Sequence, residues 1–328
     1  MTQTSKEIFE KYQVRKTGKQ KSLFRDYALL TARGMGYSAR VEQGSFGAKN
    51  IVIGNPDRAR VIYTAHYDTA PRLPMPNFIT PKCLPLYILY QIVLTAVLVF
   101  VPMLIMGVVA AVPLGILSVE LNLPDTVVEA IIDVVVFGTL FASMLLILIG
   151  PANKHTANDN TSGVTLIFNI MEAVPEQLRE SVAFVLFDLE EVGLFGSSGF
   201  AAKHKDIRAR GLLINFDCVS DGDDILFVLN KGAHRYAQLF LDAYPSFEGF
   251  RTEVLTKGAF YPSDQASFKC GVGVCALKRF RNTKLLYMNR IHTSRDTVYK
   301  EENIEQLTVG SVELVRRLSD SEKEQNLE

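Results

Sequence analysis

The dominant pattern along the chain is a long stretch of apolar side chains without charge. Residues 84–119 form a run of 36 residues with no charged side chain, and Gln91 is the only strongly polar one. As a helix this run would be about 54 Å long against roughly 30 Å of bilayer hydrocarbon, so it must tilt, extend into the interface or break. Pro102 and Pro113 are the expected break points. A second apolar run covers residues 127–150, with its two acidic residues near its start.

These runs predict a two-helix transmembrane hairpin at residues 84–150; the alternative is a buried helical hairpin in a soluble or dimeric core. The connection at 120–126 has acidic residues but no Lys or Arg, whereas Arg72, Lys82 and Lys154 flank the hairpin. By the positive-inside rule, residues 1–83 and 151–328 share the cytoplasmic side. We therefore expect a multi-pass protein of the cell membrane whose catalytic part faces the cytoplasm. Four cysteines and no apolar signal segment behind Met1 agree with a reducing compartment.

Outside the hairpin, strand-like and helix-like patterns alternate. This predicts one discontinuous α/β domain, formed by residues 1–83 and 151–328, with a mixed, mostly parallel sheet flanked by helices. The predicted strands are 50–53, 60–65, 182–187, 211–216, 225–229 and 272–277, and the predicted helices are 5–33, 164–173, 197–205, 233–243 and 304–318.

Composition narrows the class of function. The chain has 35 basic and 35 acidic residues, so it lacks the basic character of a nucleic-acid-binding domain. A mean hydropathy of +0.14 with 48% apolar residues is explained by the two apolar runs.

Possible metal ligands follow three of the predicted strands. His66 and Asp68 follow one strand, residues 188–191 (Asp-Leu-Glu-Glu) follow another, and Asp217 follows a third. The carboxyl ends of strands are where open α/β sheets collect their sites. Two further polar clusters, at 157–163 and 290–296, each precede a predicted helix, and histidines with several carboxylates suit a pair of divalent cations bound by nitrogen and oxygen.

Each piece alone has a simpler explanation. A histidine at a strand end is more often structural, Asp159 has the position of a helix N-cap, and Glu190 with Glu191 has the composition of an exposed acidic turn. The order of the motifs is more specific: H-x-D, N-D-N-x-S-G, E-E-x-G-x-x-G-S, N-x-D, S-D and a late His.

This ordered set resembles the M28 family of metallopeptidases, the co-catalytic two-zinc aminopeptidases, across residues 50–70 and 150–310. The resemblance implies the zinc-aminopeptidase, phosphorylase/hydrolase-like fold and two divalent ions, most simply zinc. It also implies a role for each matching residue: His66 and Asp217 as ligands of one ion, Asp159 as the bridging carboxylate, Glu191 and His292 as ligands of the other ion, Glu190 as general base, and Asp68 as the carboxylate that orients His66.

The resemblance has two further implications. It implies a cis peptide bond between Asp159 and Asn160, and it identifies residues 258–265 as a substrate-side loop. Here Gln265 stands where the family commonly has His after the Ser-Asp pair that ends in Asp264. Tyr261 is either a donor to the developing oxyanion or a packed aromatic residue.

The expected function is a membrane-anchored exopeptidase, an aminopeptidase acting on peptides with a free N-terminus. A metal-bridged hydroxide would attack the peptide bond, with Glu190 as general base. The alternatives are a glutaminyl cyclase-like, single-zinc acyltransferase, a non-catalytic binding protein on the peptidase fold, and transport through the hairpin, which the lack of paired internal charges disfavours. The hairpin interrupts the site motifs between Asp68 and Asp159, which suggests substrates at or near the membrane.

Overall fold

The computed structural model describes the backbone of residues 1–325 and the side chains up to residue 320. Within these residues, nine strands form one mixed sheet. They are β1 (Ala39–Gln43), β2 (Lys49–Ile53), β3 (Val61–His66), β4 (Val182–Phe187), β5 (Leu212–Phe216), β6 (Asp224–Leu229), β7 (Arg251–Leu255), β8 (Gly271–Arg279) and β9 (Leu286–Tyr287).

Ten α-helices accompany the sheet within the described part of the chain. They are α1 (Gln3–Lys11), α2 (Gly18–Gly34), α3 (Leu84–Thr95), α4 (Val101–Leu121), α5 (Asp125–Ile149), α6 (Gly163–Ala173), α7 (Phe195–Lys203), α8 (Lys205–Arg210), α9 (Ala237–Ala243) and α10 (Glu301–Gln325).

The sheet order is β1-β2-β4-β3-β5-β8-β6-β7, with β9 paired to β8. Its centre, β4-β3-β5-β8, is parallel, whereas β1, β2 and the β6–β8 pair are antiparallel. This confirms the predicted mixed α/β sheet flanked by helices. Because β4, β3 and β5 are parallel neighbours, their carboxyl ends meet at one edge, where the predicted ligands lie.

Burial on both faces explains the continuous apolar central strands. In β4, Val182, Phe184 and Leu186 belong to one core cluster, while Ala183, Val185 and Phe187 belong to the cluster on the opposite face. Successive side chains of a strand point to opposite faces, so a strand covered by helices on both sides must be apolar throughout.

The helix predicted over residues 5–33 is wrong, because two helices occupy that range. Thr17 caps the second helix: its hydroxyl accepts a hydrogen bond from the backbone amide of Gln20, and the side-chain oxygen of Gln20 accepts one from the backbone amide of Thr17. This reciprocal capping box satisfies amides that would otherwise lack partners at a helix start. The break between α1 and α2 brings Arg15 into the interior.

The apolar insertion forms two helices that are long and apolar enough to cross a membrane, Leu84–Leu121 and Asp125–Ile149. Only 11% and 6% of their most apolar windows are buried within the protein, which disfavours the alternative of a buried core hairpin. The first helix contains a π-helical turn at Ala96–Phe100, just before Pro102, whereas Pro113 lies inside regular helix. The chain leaves the α/β domain before the hairpin and re-enters it after the hairpin at neighbouring points. This proximity is shown by the Arg72 backbone amide, which donates to the Pro151 carbonyl at 2.7 Å.

Candidate metal centre

His66 is the last residue of β3 and is buried at the sheet edge. Its Nε2 lies 3.4 Å from Oδ1 of Asp159 and 3.5 Å from Oδ1 of Asp217. One ligand atom from each of the three residues lies within 4.8 Å of the other two. Tetrahedral zinc with ligand bonds of about 2.0–2.2 Å separates its ligand atoms by roughly 3.3–3.6 Å, so this set fits a divalent cation.

Asp159 also belongs to a second set, with Glu191 and His292. Nε2 of His292 lies 3.0 Å from Oδ2 of Asp159 and 3.3 Å from Oε2 of Glu191. The other oxygen of Glu191, Oε1, is buried without a hydrogen-bond partner. A buried carboxylate oxygen needs a donor or a cation, so this set also fits a cation. Asp159 has one oxygen toward each set, which is the arrangement of a bridging carboxylate.

The centre concentrates acidic side chains away from water. Burial raises the pKa of Glu190 well above its usual value; the charge of His66 opposes this shift, while the charges of Glu191 and Asp217 add to it. Burial would lower the pKa of His66, but Glu190 and the hydrogen bonds to Asp159 and Asp217 raise it instead. Carboxylates that raise the pKa of each other and of the adjacent histidine need compensating positive charge, as a bound cation would provide.

Asp68 links the ends of two strands. Its carboxylate oxygens accept the amides of Glu190 at 3.0 Å and of Glu191 at 3.2 Å. Nδ1 of His66 is 3.1 Å from the backbone carbonyl of Asp68 and 3.7 Å from its carboxylate. The carbonyl therefore makes the closer contact with the histidine, and the carboxylate holds the turn that carries both glutamates.

Hydrogen bonds to two other segments of the chain hold the segment that carries Asp159. The carboxylate of Asp296 accepts the amides of Asn158 at 2.8 Å and Asp159 at 3.0 Å. The Asn160 side chain donates to the carbonyl of Phe216 at 2.9 Å. The peptide bond between Asp159 and Asn160 is cis, which confirms that implication of the resemblance. Asp296 belongs to the polar cluster predicted at 290–296, but nothing in that local sequence indicates its contacts with the Asn158 and Asp159 amides.

Arg15 is a second residue that contributes to the centre without belonging to any of the site motifs. Its guanidinium is fully buried and donates to the carbonyls of Tyr67 and Tyr12 at 2.5 Å. Burial lowers its pKa to about 10, while the charges of Asp68 and Asp159 oppose this shift. Arg15 thus supplies fixed positive charge behind the centre. No local motif signals this role, since the arginine comes from the break between two helices far away in sequence.

Part of the loop at 258–265 lines the cleft, and another part is buried behind it. Tyr261 lines the cleft and donates its hydroxyl to the Asp217 carbonyl at 3.1 Å. Asp264 is fully buried, and burial raises its pKa to about 7, with His66 opposing the shift. Gln265, in the position where the family commonly has His, donates to the Tyr261 carbonyl at 2.6 Å.

If the alternation of side chains along a strand continued past Asp217, Cys218 would point away from the site. Instead, Cys218 lines the cleft. Its φ is +59°, because β5 ends at Phe216 and the chain turns there. The alternation rule holds only within a strand.

The cleft over the centre has a volume of about 290 Å³. It is lined by His66, Asn77, Ile79, Tyr87, Asp159, Glu190, Glu191, Leu194, Asp217, Cys218, Tyr261, Pro262, Ile291 and His292. Seven of the nine site residues predicted from sequence line it, and the other two, Asp68 and Asp264, lie behind it.

Comparison with solved structures shows the same fold in bacterial enzymes. The LapA aminopeptidase of Legionella pneumophila aligns with a TM-score of 0.54 at 12% identity, covering 95% of this chain and 69% of that one. A glutaminyl cyclase of Porphyromonas gingivalis aligns at 0.53 and 12% identity, covering 97% and 98%. A Zn-dependent exopeptidase of Parabacteroides distasonis aligns at 0.52 and 14% identity, covering 95% and 94%.

A comparison with curated protein sequences gave no match. The sequence model of peptidase family M28 matches residues 132–314, which is more than half of the chain and includes every ligand position except His66. The resemblance seen in the motifs is thereby confirmed, and the chain belongs to peptidase family M28.

Proposed function

We propose that this protein is a metal-dependent aminopeptidase that hydrolyses the first peptide bond of substrates with a free N-terminus. The observation that carries the proposal is the pair of three-residue ligand sets that share Asp159. A binding protein on the same fold has no need of two complete ligand sets.

In this proposal His66 and Asp217 hold one zinc ion, Glu191 and His292 hold the other, and Asp159 bridges them. The sharing of one carboxylate between two sets within 4.8 Å supports this assignment. Imidazole nitrogens and carboxylate oxygens are ordinary zinc ligands. Bound metal ions would polarise the scissile carbonyl and make water acidic enough to act as a nucleophile near neutral pH.

Glu190 acts as the general base and then returns the proton to the leaving amine. Its side chain lines the cleft, and one of its oxygens lies within 4.8 Å of ligand atoms of His66 and Glu191. Burial raises its pKa well above the usual value, which suits a group that must hold a proton between two steps. By accepting both glutamate amides, Asp68 holds the turn in which Glu191 would bind the metal and Glu190 would face the substrate.

The cleft supports exopeptidase action. Its volume of about 290 Å³ is at the lower end of the range for small-molecule sites, which suits one residue and its peptide bond. Its carboxylates would attract a protonated α-amine.

We also propose that residues 84–150 anchor the protein in the cell membrane as a hairpin insertion in one discontinuous domain of residues 1–83 and 151–328, which faces the cytoplasm. The exposure of both apolar helices and the acidic connection without Lys or Arg support this assignment. The site would then lie near the bilayer surface, where peptides that emerge from the membrane would reach it.

The test is Glu190→Gln in the full-length, zinc-loaded protein, assayed with aminoacyl and N-terminal glutaminyl substrates. We expect hydrolysis to fall by about 10²- to 10⁴-fold with metal content unchanged. Glu176→Gln, at an exposed position, is the matched control and should behave as wild type. Near-normal turnover by Glu190→Gln would show that Glu190 is not the general base.

Metal content separates the alternatives. Two ions per chain support the peptidase. One ion with cyclisation of N-terminal glutamine identifies a glutaminyl cyclase, and no bound metal identifies a non-catalytic binding protein.

A further inference from the structure

The first turns of the apolar insertion are part of the cleft wall. Tyr87, in α3, lines the cleft together with Ile79 and Pro262. Its ring also packs at 6.0 Å from the ring of Phe260, in the loop that carries Tyr261. An apolar helix that only anchored the protein would have no reason to place a side chain in the site.

Hydrogen bonds hold α3 and the loops around the cleft together. Gln91, the one strongly polar residue of the first apolar run, donates its side-chain amide to Oδ1 of Asn77 at 2.9 Å. Asn77 itself lines the cleft. The Tyr90 hydroxyl donates to the Pro76 carbonyl at 2.7 Å. Just before α3, the Pro81 carbonyl accepts the amide of Phe260, next to Tyr261, at 2.8 Å.

Aromatic packing adds to these bonds. The Phe78 ring lies 5.1 Å from the ring of Tyr90 and 5.7 Å from that of Tyr287 in β9. Tyr87 contacts the core cluster that contains Ile79, Tyr261 and Ile291. Contacts with the folded domain therefore hold Tyr87 in position relative to the metal centre.

The lining of the cleft combines two kinds of side chain. The carboxylates and histidines of the metal centre are accompanied by apolar residues: Ile79, Tyr87, Leu194, Pro262 and Ile291. Apolar lining residues in the same cleft as the reacting groups favour an apolar substrate side chain, because burying an apolar side chain there is favourable whereas burying a charged one is costly.

We propose that α3 forms one wall of the substrate site and that Tyr87 selects an apolar side chain on the N-terminal residue of the substrate. This inference rests on the proposed aminopeptidase function for its substrate. Tyr87 would act by contact with the substrate side chain, as a specificity-determining residue, and would take no part in proton transfer. The insertion would therefore have two roles, with its first turns in recognition and its remainder in anchoring.

The experiment compares Tyr87→Ala, Tyr87→Phe and Ile88→Ala in the full-length, zinc-loaded protein. Ile88 is 47% exposed on the same helix and is not among the residues of the cleft, so it is the matched control. The substrates are leucyl, phenylalanyl, alanyl and lysyl p-nitroanilides. Metal content and unfolding temperature are measured for each variant.

We expect Tyr87→Ala to lower the ratio of kcat/KM for leucyl over alanyl substrate roughly tenfold, mainly through KM, because a lost apolar contact weakens ground state and transition state alike. Tyr87→Phe, which keeps the ring, should restore the preference, and Ile88→Ala should not alter it. An equal fall for all four substrates, or an unchanged ratio, would overturn the proposal.

Binding of leucine hydroxamate and alanine hydroxamate, measured by calorimetry, separates this inference from the proposed function. Suppose the wild type hydrolyses none of the substrates but prefers leucine hydroxamate, and loses that preference with Tyr87→Ala. The aminopeptidase proposal then fails while the role of Tyr87 stands. A preference that survives Tyr87→Ala would refute the role of Tyr87 alone, whereas a wild type that neither hydrolyses the substrates nor binds either hydroxamate would refute both.

Discussion

Replacing Asp68 by asparagine tests whether the metal centre depends on the junction between two strand ends. The Asp68 side chain is buried, and its two oxygens accept the amides of Glu190 and Glu191. Although burial would raise its pKa, the hydrogen bond and charge of His66 and the Glu190 amide hold the pKa below the usual value. The folded protein therefore contains Asp68 as a carboxylate.

The magnitude follows from the hydrogen bonds. A hydrogen bond to a charged group contributes about 1.5–3 kcal/mol, and an asparagine side chain at this position would keep one acceptor while turning an NH₂ group toward the second amide. One bond is lost and one partly buried amide is left without an acceptor, so we expect the free energy of unfolding to fall by about 2–4 kcal/mol. Because the turn also aims Glu191, metal affinity or activity should fall about 10- to 100-fold.

The assay combines thermal unfolding of the metal-free protein with zinc affinity measured by competition with a chromogenic chelator. Asp206→Asn is the control, since Asp206 lies at the surface with its side chain 89% exposed, and surface changes usually stay within about 0.5 kcal/mol. If Asp68→Asn unfolded at the wild-type temperature and bound zinc with wild-type affinity, the structural role assigned to Asp68 would be refuted.

Two further predictions concern the sheet and the insertion. Burial would raise the pKa of Asp224, but the hydrogen bonds from Arg251 and Arg279 lower it below its usual value. The ionised Asp224 side chain therefore stabilises the folded protein fully above about pH 4, the pKa of an unfolded aspartate, and this stabilisation is lost as the pH falls through the lower pKa of the folded state. Asp224→Asn should lower the unfolding temperature at pH 7 by an amount that shrinks below about pH 4, and a constant difference would contradict this. Replacing residues 84–150 by a Gly/Ser linker should give a protein that is soluble without detergent and binds zinc but has a weaker preference for leucyl over alanyl substrates. An insoluble, metal-free product would contradict the prediction that 84–150 is an insertion into an otherwise independent domain.

The parts of the fold that can be predicted from sequence are those with a strong local pattern. The strand at 182–187 is predicted with its observed bounds because all six residues are apolar and buried. The edge strands β1 and β7 escape prediction, because an edge strand exposes one side to water and Arg, Glu and Thr interrupt its apolar pattern. Residues 231–236 form a 3₁₀ helix before α9, so the helix predicted at 233–243 begins too early.

The candidate ligands can be predicted because each follows a strand or precedes a helix within a short motif. His66 and Asp217 need only the rule that parallel strands present their carboxyl ends at one edge. The contributions of Arg15, Asp296 and Tyr87 cannot be predicted in this way. Each of these reaches the centre or its cleft from a segment whose own pattern has another explanation, respectively a helix, a polar loop and a membrane span.

The family, the class of fold, the candidate metal ligands and the two long apolar helices can all be recognised from sequence, because motif order, residue type and hydropathy are local properties. The fold in three dimensions shows which groups are in contact: the Asp68 carboxylate with two glutamate amides, Asp159 with both histidines, and Tyr87 of the apolar insertion with the cleft. Such contacts join residues far apart along the chain, as between His66 and Asp159 and between Asp159 and His292. They depend on packing of the whole sheet, which no local pattern encodes.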